Sequence, residues 1–269
     1  VYRPGIVGVR AVRSLVLHDF LQTPRLRPTT PAQATRALVV VAAPNEAKPI
    51  LRGLGMGTGM GDVTLPEAWT LAAVRADVDL VITGISKSNA AGAVGRVLDR
   101  ERHGLVLSLG IAGALPVVGS TQAFAAELGS IHVASSCVFA DEGVETPESF
   151  VDCAAMGFPL ADVASNAIPT DPALCALLAS VGEAGPIATV STCSGTDALA
   201  QRTAQRTLAR VEGMEGAAVA LVARRVGVPM IEVRVVSNTT GDRARQRWAI
   251  RPALERLGVV IERLLPLSR

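Results

Sequence analysis

The sequence predicts an α/β fold in one domain over residues 37–267, and three observations carry that expectation. Leu38-Val-Val-Val-Ala-Ala43 is a compact apolar run, the mark of a strand buried on both faces. The runs 80–83 and 105–109 flank a glycine turn, Gly84-Ile-Ser-Lys87, and a stretch over 86–100 with Ala and Val at helical spacing. That is a strand–helix–strand unit. Residues 248–265 close the chain as an amphipathic helix, with Ala253, Leu254, Leu257, Ile261, Leu264 and Leu265 on one face.

The remaining elements follow in order. Residues 1–36 read as a poorly ordered extension with six Arg and one Asp, ending in a segment (23–34) with three Pro and three Thr. The chain opens on Val1, which suggests a start further downstream; an organelle-targeting peptide is the alternative, against which stands the small number of Ser. Beyond the unit just described, 128–139 and 187–192 are strands, 196–211 and 213–226 are helices, and 229–237 is the last strong strand. No internal repeat is evident.

Composition excludes several classes. With 49% hydrophobic and 19% charged residues in 269, the chain has material for a core and is not a disordered polymer. Eight aromatic residues are too few for stacking on single-stranded nucleic acid. The net charge of +2 hides a tail of +5 and a body of about −3, so no nucleic-acid groove is expected. Cys137, Cys153, Cys175 and Cys193 have no CxxC spacing and share no motif with the three His; buried reduced thiols are expected, and no zinc. The uncharged stretch 104–126 contains five Gly or Pro and reads as a buried strand plus a glycine-rich loop, not a membrane span. The protein is expected to be soluble and intracellular.

Two tempting motifs fail. Gly53-Leu-Gly-Met-Gly-Thr-Gly-Met-Gly61 never satisfies G-x-G-x-x-G and leads to no G-K-[ST], so it reads as a mobile hairpin. No G-x-S-x-G is present, so that type of hydrolase lacks its nucleophile.

Four places remain where polar residues follow strands or open helices: Glu46 in Val41-Ala-Ala-Pro-Asn-Glu46, the loop Gly110-Ile-Ala-Gly113, Glu215 in Gly213-Met-Glu-Gly-Ala217, and Asn238 after Val233-Arg-Val-Val-Ser237. In open α/β sheets ligands bind outside the carboxyl ends of the strands, so these could share one pocket. Each has a bland reading. Glu46 could be a solvated first-turn acid and Glu215 another, favoured by the helix dipole; Asn238 could be a turn residue. Glu215 sits among small apolar residues, where an acid needs a partner or a ligand hydroxyl.

Together with Thr83-Gly-Ile-Ser-Lys-Ser-Asn-Ala90, Ser108-Leu-Gly-Ile-Ala-Gly113, Met214-Glu-Gly216 and Arg234-Val-Val-Ser-Asn238, these residues resemble the nucleoside phosphorylase and nucleosidase superfamily, relatives of methylthioadenosine/S-adenosylhomocysteine nucleosidase, from Leu38 to Leu265. Within it, Ser191-Thr-Cys-Ser-Gly-Thr-Asp197, the Met-Glu-Gly-Ala-Ala run and Trp248 look most like the futalosine hydrolases of the alternative menaquinone pathway. The resemblance implies a three-layer domain with a mixed central sheet flanked by helices, hydrolysis of an N-glycosidic bond, no cofactor, and a homo-oligomer, the dimer favoured, working in the cytoplasm. It also implies a small-molecule nucleoside as partner, and neither nucleic acid nor membrane.

It further implies roles. Glu46 would activate the water, Glu215 would accept from the ribose hydroxyls beside the developing cation, and Met214 would wall the sugar. Gly110, Ala112 and Gly113 would bring backbone close to the nucleoside. Nucleosidases for adenine nucleosides carry Asp where this chain has Asn238, whose amide can donate to a 6-oxo group and accept from a protonated N7. That choice points to hypoxanthine as leaving group, with solvent or Asp242 as the proton source. Thr196 and Asp197 would approach the base or the carboxyphenyl part of the substrate, and Phe139 and Phe150 are candidates for the stacking wall, with core packing as the alternative. Related phosphorylases have an Arg at the position of Ser108, and nothing near Glu46 resembles their phosphate loop; Arg52 is not placed like that loop's Arg. The hydrolase reading follows. Another purine nucleosidase or phosphorylase, or a non-catalytic nucleoside-binding protein, are the alternatives.

Overall fold

The computed structural model describes residues 34–57, 63–120 and 123–265. The expected extension up to residue 33 and the 58–61 part of the glycine run lie outside the described residues. Arg36, placed in that extension by its composition, instead opens β1 (Arg36–Val41). Its Nε and Nη2 donate to the two carboxylate oxygens of Asp79 at 2.7 and 2.6 Å. Asp79 lies on β3 (Val78–Ile82), wholly buried, and also accepts from Arg102 at 2.6 and 2.9 Å. Burial works against its charge, but the two guanidinium groups outweigh burial and hold the carboxyl well below its usual range.

Strand parity sorts the core into two layers, because successive side chains point to opposite faces. Val39 and Val41 of β1 join Leu80, Ile82 and Leu107 beneath α1 (Pro44–Gly53) and α6 (Ile250–Leu264). Leu38 and Val40 join Val81 and Val106 beneath α2 (Lys87–Val97) and α5 (Gly216–Val226). The result is helix, sheet, helix, in a single three-layer α/β domain. Gly53, first of the glycine run, ends α1 against α6: a Cβ there would collide with the Gly258 carbonyl oxygen. Its lack of a side chain serves helix packing.

β2 (Ala72–Arg75) pairs antiparallel with β3, β1 pairs in parallel with both β3 and β4 (His103–Ala114), and β4 pairs in parallel with β11 (Met230–Thr239). β5 (Ile131–Phe139) runs antiparallel to β11 and parallel to β9 (Glu183–Thr189). β10 (Val211–Gly213) then pairs with β9 and, antiparallel, with the far end of β4, so five strands close a ring. The sheet is mixed, as expected. Between β5 and β9 come the short ribbon β6 (Gly143–Glu145) and β7 (Phe150–Asp152), the strand β8 (Ala167–Pro169) on β5, and α3 (Pro172–Leu177).

Three element expectations change. Gly110-Ile-Ala-Gly113 is not a loop: β4 continues through it, because Ala112, Gly113 and Ala114 find partners on β11 and, for the last two, on β10. Asn238 is inside β11 and not after it, and a register shift between Val236 and Asn238 re-aims the strand there. The two expected helices over 196–211 and 213–226 are shorter, α4 (Asp197–Thr207) and α5, with β10 between them.

All four cysteines are free, but only Cys137 is buried and Cys193 is exposed, so uniform burial does not hold. No described helix is long and apolar enough to cross a membrane. Among the described residues no cluster of three or more His, Cys, Asp or Glu could hold a metal ion.

Candidate active site

β1 leads directly into α1, and Pro44 at the helix start orients its first turn. Glu46 occupies the third helical position, where its Oε2 accepts from the Ala43 amide at 3.0 Å. Its Oε1 accepts from the Ile111 amide of β4 at 2.8 Å. Far from being a solvated first-turn acid, Glu46 is 5% exposed. Burial pushes its carboxyl up from the usual range; the Arg234 guanidinium and the two amides draw it back only in part.

Glu215 is the residue before α5, yet its carboxylate makes no capping bond to its own helix. Thr189 Oγ1 takes the Ala217 amide instead, at 2.8 Å. Glu215 Oε1 accepts from the backbone amide of Ser86 at 3.2 Å, and Oε2 stands 3.7 Å from Nη2 of Arg234. Ser86 adopts φ +109°, a conformation that costs a non-glycine residue about 1–3 kcal/mol and that gathers at ligand sites. It also caps α2 by accepting from the Asn89 amide at 3.3 Å.

Arg234, read in the sequence only as the first residue of Arg234-Val-Val-Ser-Asn238, proves to be the charged centre of this cluster. It is 1% exposed, on β11, and its Nη2 reaches Ser108 Oγ at 3.4 Å while Nε donates to Glu232 at 2.7 Å. Burial disfavours its charge, but Glu232, Glu215 and Glu46 together more than compensate, and the guanidinium stays protonated. The available signal was the Glu-x-Arg alternation inside an otherwise apolar strand: two charges on one face of a buried strand must be paired. Gly110 makes room for this group, since a Cβ there would overlap Arg234 Nη1 and sit 2.7 Å from Glu46 Oε1. Its close approach is thus to side chains of the site.

Asn238 is partly exposed on the same strand. Its Oδ1 accepts from Ser237 Oγ at 2.8 Å and its Nδ2 donates to the Thr239 carbonyl at 3.0 Å. Nδ2 lies over Gly113, and Ser237 Oγ lies 3.2 Å from the Ala112 carbonyl oxygen, so Ala112 and Gly113 form the floor beneath the amide. Each end of the amide keeps one further hydrogen-bonding position.

The other expected residues divide. Met214 is half-buried, with its sulfur 3.3 Å from Cys193 Sγ, beside Glu215. Thr196 caps α4, accepting from the Leu199 amide at 3.2 Å. Asp197 accepts from the Asp242 amide at 2.9 Å and pairs with Arg245. Asp242 accepts from Ala244 at 3.2 Å and from Arg245 at 3.3 Å. These three polar side chains bind the loops together. Glu212, unremarked in the sequence, does the same from within: 4% exposed, it takes both the amide and the hydroxyl of Ser194, at 2.8 and 2.6 Å. Phe139 and Phe150 both line an open cavity of about 900 Å³ whose walls include none of Glu46, Glu215 and Asn238. Arg206 covers the Phe150 ring at 3.7 Å, whereas Phe139 stands 5.6 Å from Nζ of Lys87, next to Ser86.

Two buried carboxylates and a compensated guanidinium thus converge from β1–α1, β3–α2, β4, α5 and β11, and the Asn238 amide stands four residues further along β11. The family described as the phosphorylase superfamily matches residues 36–266. The chain is 35% identical to the futalosine hydrolase of Acidothermus cellulolyticus over 83% of this chain and 88% of that one. It is 33% identical to the futalosine hydrolase of Streptomyces coelicolor over 75% of this chain and 80% of that one. In fold it is similar to a Helicobacter pylori MTAN mutant solved with 5'-methylthioadenosine in the active site, with a TM-score of 0.65 and 19% identity over 86% of this chain and 97% of that one. The chain belongs to the phosphorylase superfamily and, within it, to the futalosine hydrolase family.

Proposed function

We propose that this protein hydrolyses the N-glycosidic bond of futalosine, releasing hypoxanthine and dehypoxanthine futalosine for menaquinone synthesis. The observation that carries this reading is the pair of buried carboxylates, Glu46 and Glu215, on one guanidinium already bound by Glu232. Cleavage passes through an oxocarbenium-like ribosyl cation. Glu215 accepts from the ribose hydroxyls and places negative charge beside that cation. Glu46, with a raised carboxyl and fixed by two amides, takes the proton of the attacking water. Met214 walls the sugar. Asn238 donates to O6 of the base and accepts from its protonated N7, and the proton comes from solvent, since the Asp242 carboxylate is engaged by Arg245 and its own turn.

Water and not phosphate is the nucleophile on this reading. Arg234 is the charged donor beside Ser108, and three carboxylates surround it. A phosphate dianion would meet net negative charge there. The test is base release from futalosine, inosine and methylthioadenosine, each with and without phosphate. Phosphate-independent hypoxanthine from futalosine is expected. Adenine from methylthioadenosine with no hypoxanthine from futalosine would overturn the substrate, and a phosphate requirement would overturn hydrolysis. The same reading makes the enzyme a cytoplasmic homo-oligomer, the dimer favoured, which light scattering on the purified protein tests.

A further inference from the structure

Glu232 is wholly buried on β11, and nothing in the reaction just described uses it. One oxygen binds Nε of Arg234 at 2.7 Å, and the other is left without a strong hydrogen-bond donor among the described residues. The Cys137 thiol of β5 also faces this carboxylate, but a thiol donates only weakly. A buried carboxylate half so poorly partnered is costly, and a neutral apolar residue would remove that cost. The surroundings are shaped to admit it. A Cβ on Gly216, the first residue of α5, would overlap that second oxygen. Gly216 directly follows Glu215, so the space for Glu232 is cut into the helix start that carries the ribose-binding acid.

A guanidinium has two usable edges, and their division explains the arrangement. Glu232 takes the Nε side, and the Nη groups are left facing Ser108 at 3.4 Å and Glu215 at 3.7 Å, beside Gly110 and Glu46. Without a carboxylate behind it, Arg234 would be drawn fully onto Glu215 and Glu46. The charge that the reaction needs on those two groups would then be spent on a permanent ion pair.

We propose that Glu232 is a positioning residue: its carboxylate holds Arg234 from behind, keeps the guanidinium from closing on Glu215 and Glu46, and requires glycine at position 216. The function of Arg234 itself rests on the hydrolase reading; the hold of Glu232 on it does not.

The groups facing Glu46 and Arg234 are Glu232 and each other, Glu215 from the turn before α5, Ser108 and the Ile111 amide of β4, the Ala43 amide, and the Cys137 thiol of β5. Replacing Glu232 by Gln keeps size and a hydrogen-bond acceptor but deletes one negative charge. Arg234 then acts on Glu46 with one counter-charge fewer, and Glu46 loses its proton at lower pH.

The experiment compares wild type, Glu232→Gln and Gly216→Ala by kcat, KM and the pH profile of hydrolysis, with melting temperatures alongside. Expected is a fall in kcat of about 10- to 100-fold with KM nearly constant, and an acid limb displaced to lower pH in Glu232→Gln. Gly216→Ala, which pushes on the same carboxylate without deleting it, lowers kcat in the same direction. An unmoved acid limb and unchanged kcat in a folded Glu232→Gln overturn the proposal; so does a loss that follows the melting temperature alone. A second readout needs no turnover. The Nε–H proton of Arg234, assigned by its disappearance in Arg234→Lys, should resonate downfield in the wild type and move upfield in Glu232→Gln. If the wild type hydrolyses no nucleoside yet that resonance moves, the functional reading fails while the positioning stands; if the resonance stays in place, the positioning fails whatever the substrate.

Discussion

Oε1 of Glu46 accepts the Ile111 amide at 2.8 Å, so a side chain from the first helix completes a hydrogen bond of the β4 backbone where that strand reaches the site. One carboxylate thereby fixes the distance between two elements and is itself fixed. Under the proposed reaction, a carboxylate held in this way would need no reorganisation when water arrives.

Replacing Glu46 by Gln should lower kcat by about 10²- to 10⁴-fold, the usual contribution of a positioned base. The wild-type acid limb follows from the same group. Glu46 must be ionised to act, and burial raises its carboxyl, so activity should fall on acidification at a pH above the ordinary glutamate range. A pH profile of kcat/KM whose acid limb coincides with that of an exposed glutamate would contradict the assignment.

Asn238→Asp tests the leaving base. An ionised Asp repels the lone pairs of a 6-oxo group, while a protonated one can serve N7 beside a 6-amino group. The ratio of turnover on hypoxanthine over adenine nucleosides should fall at least about tenfold. A ratio unchanged in the variant would remove Asn238 as the selector.

Gly110→Ala drives a methyl group into Nη1 of Arg234. Strand β4 is paired on both sides and cannot yield, so the guanidinium must move. Overpacking of this kind costs about 1–3 kcal/mol, and turnover should be lost well before the fold is. Thermal melting together with kinetics separates the two.

Asp79 predicts a pH dependence of stability. Its carboxyl lies well below the unfolded value of 3.8, so its contribution is complete above that value and is lost as pH falls below it. Asp79→Asn leaves Arg36 and Arg102 facing an amide and should cost about 3–5 kcal/mol at neutral pH. Arg36→Gln raises the carboxyl back toward its ordinary range, so acid unfolding should begin at a higher pH than in the wild type. Denaturant titrations from pH 7 down to about pH 2 measure both.

The sequence by itself determined the α/β class and the strand–helix–strand unit around Gly84, because each is written locally; Glu46 and Glu215 stood out only through several motifs taken together. Continuous apolar runs can satisfy their backbone only in a buried sheet, and an acid among small apolar residues must have a partner. The tertiary structure decided the rest. Whether 110–113 was loop or strand depended on β10 and β11, which arrive from about a hundred residues further along the chain. Arg36 looked like part of a basic tail until Asp79, 43 positions away, supplied its counter-charge. Thr196, Asp197 and Asp242 entered through the family resemblance alone, and only the fold shows the cap, the turn and the ion pair in which they take part. Arg234 acquired its place through three glutamates on two further elements and its own strand. Local patterning records which faces must be buried and which groups must be paired. Only the folded chain brings the distant partners within hydrogen-bonding reach.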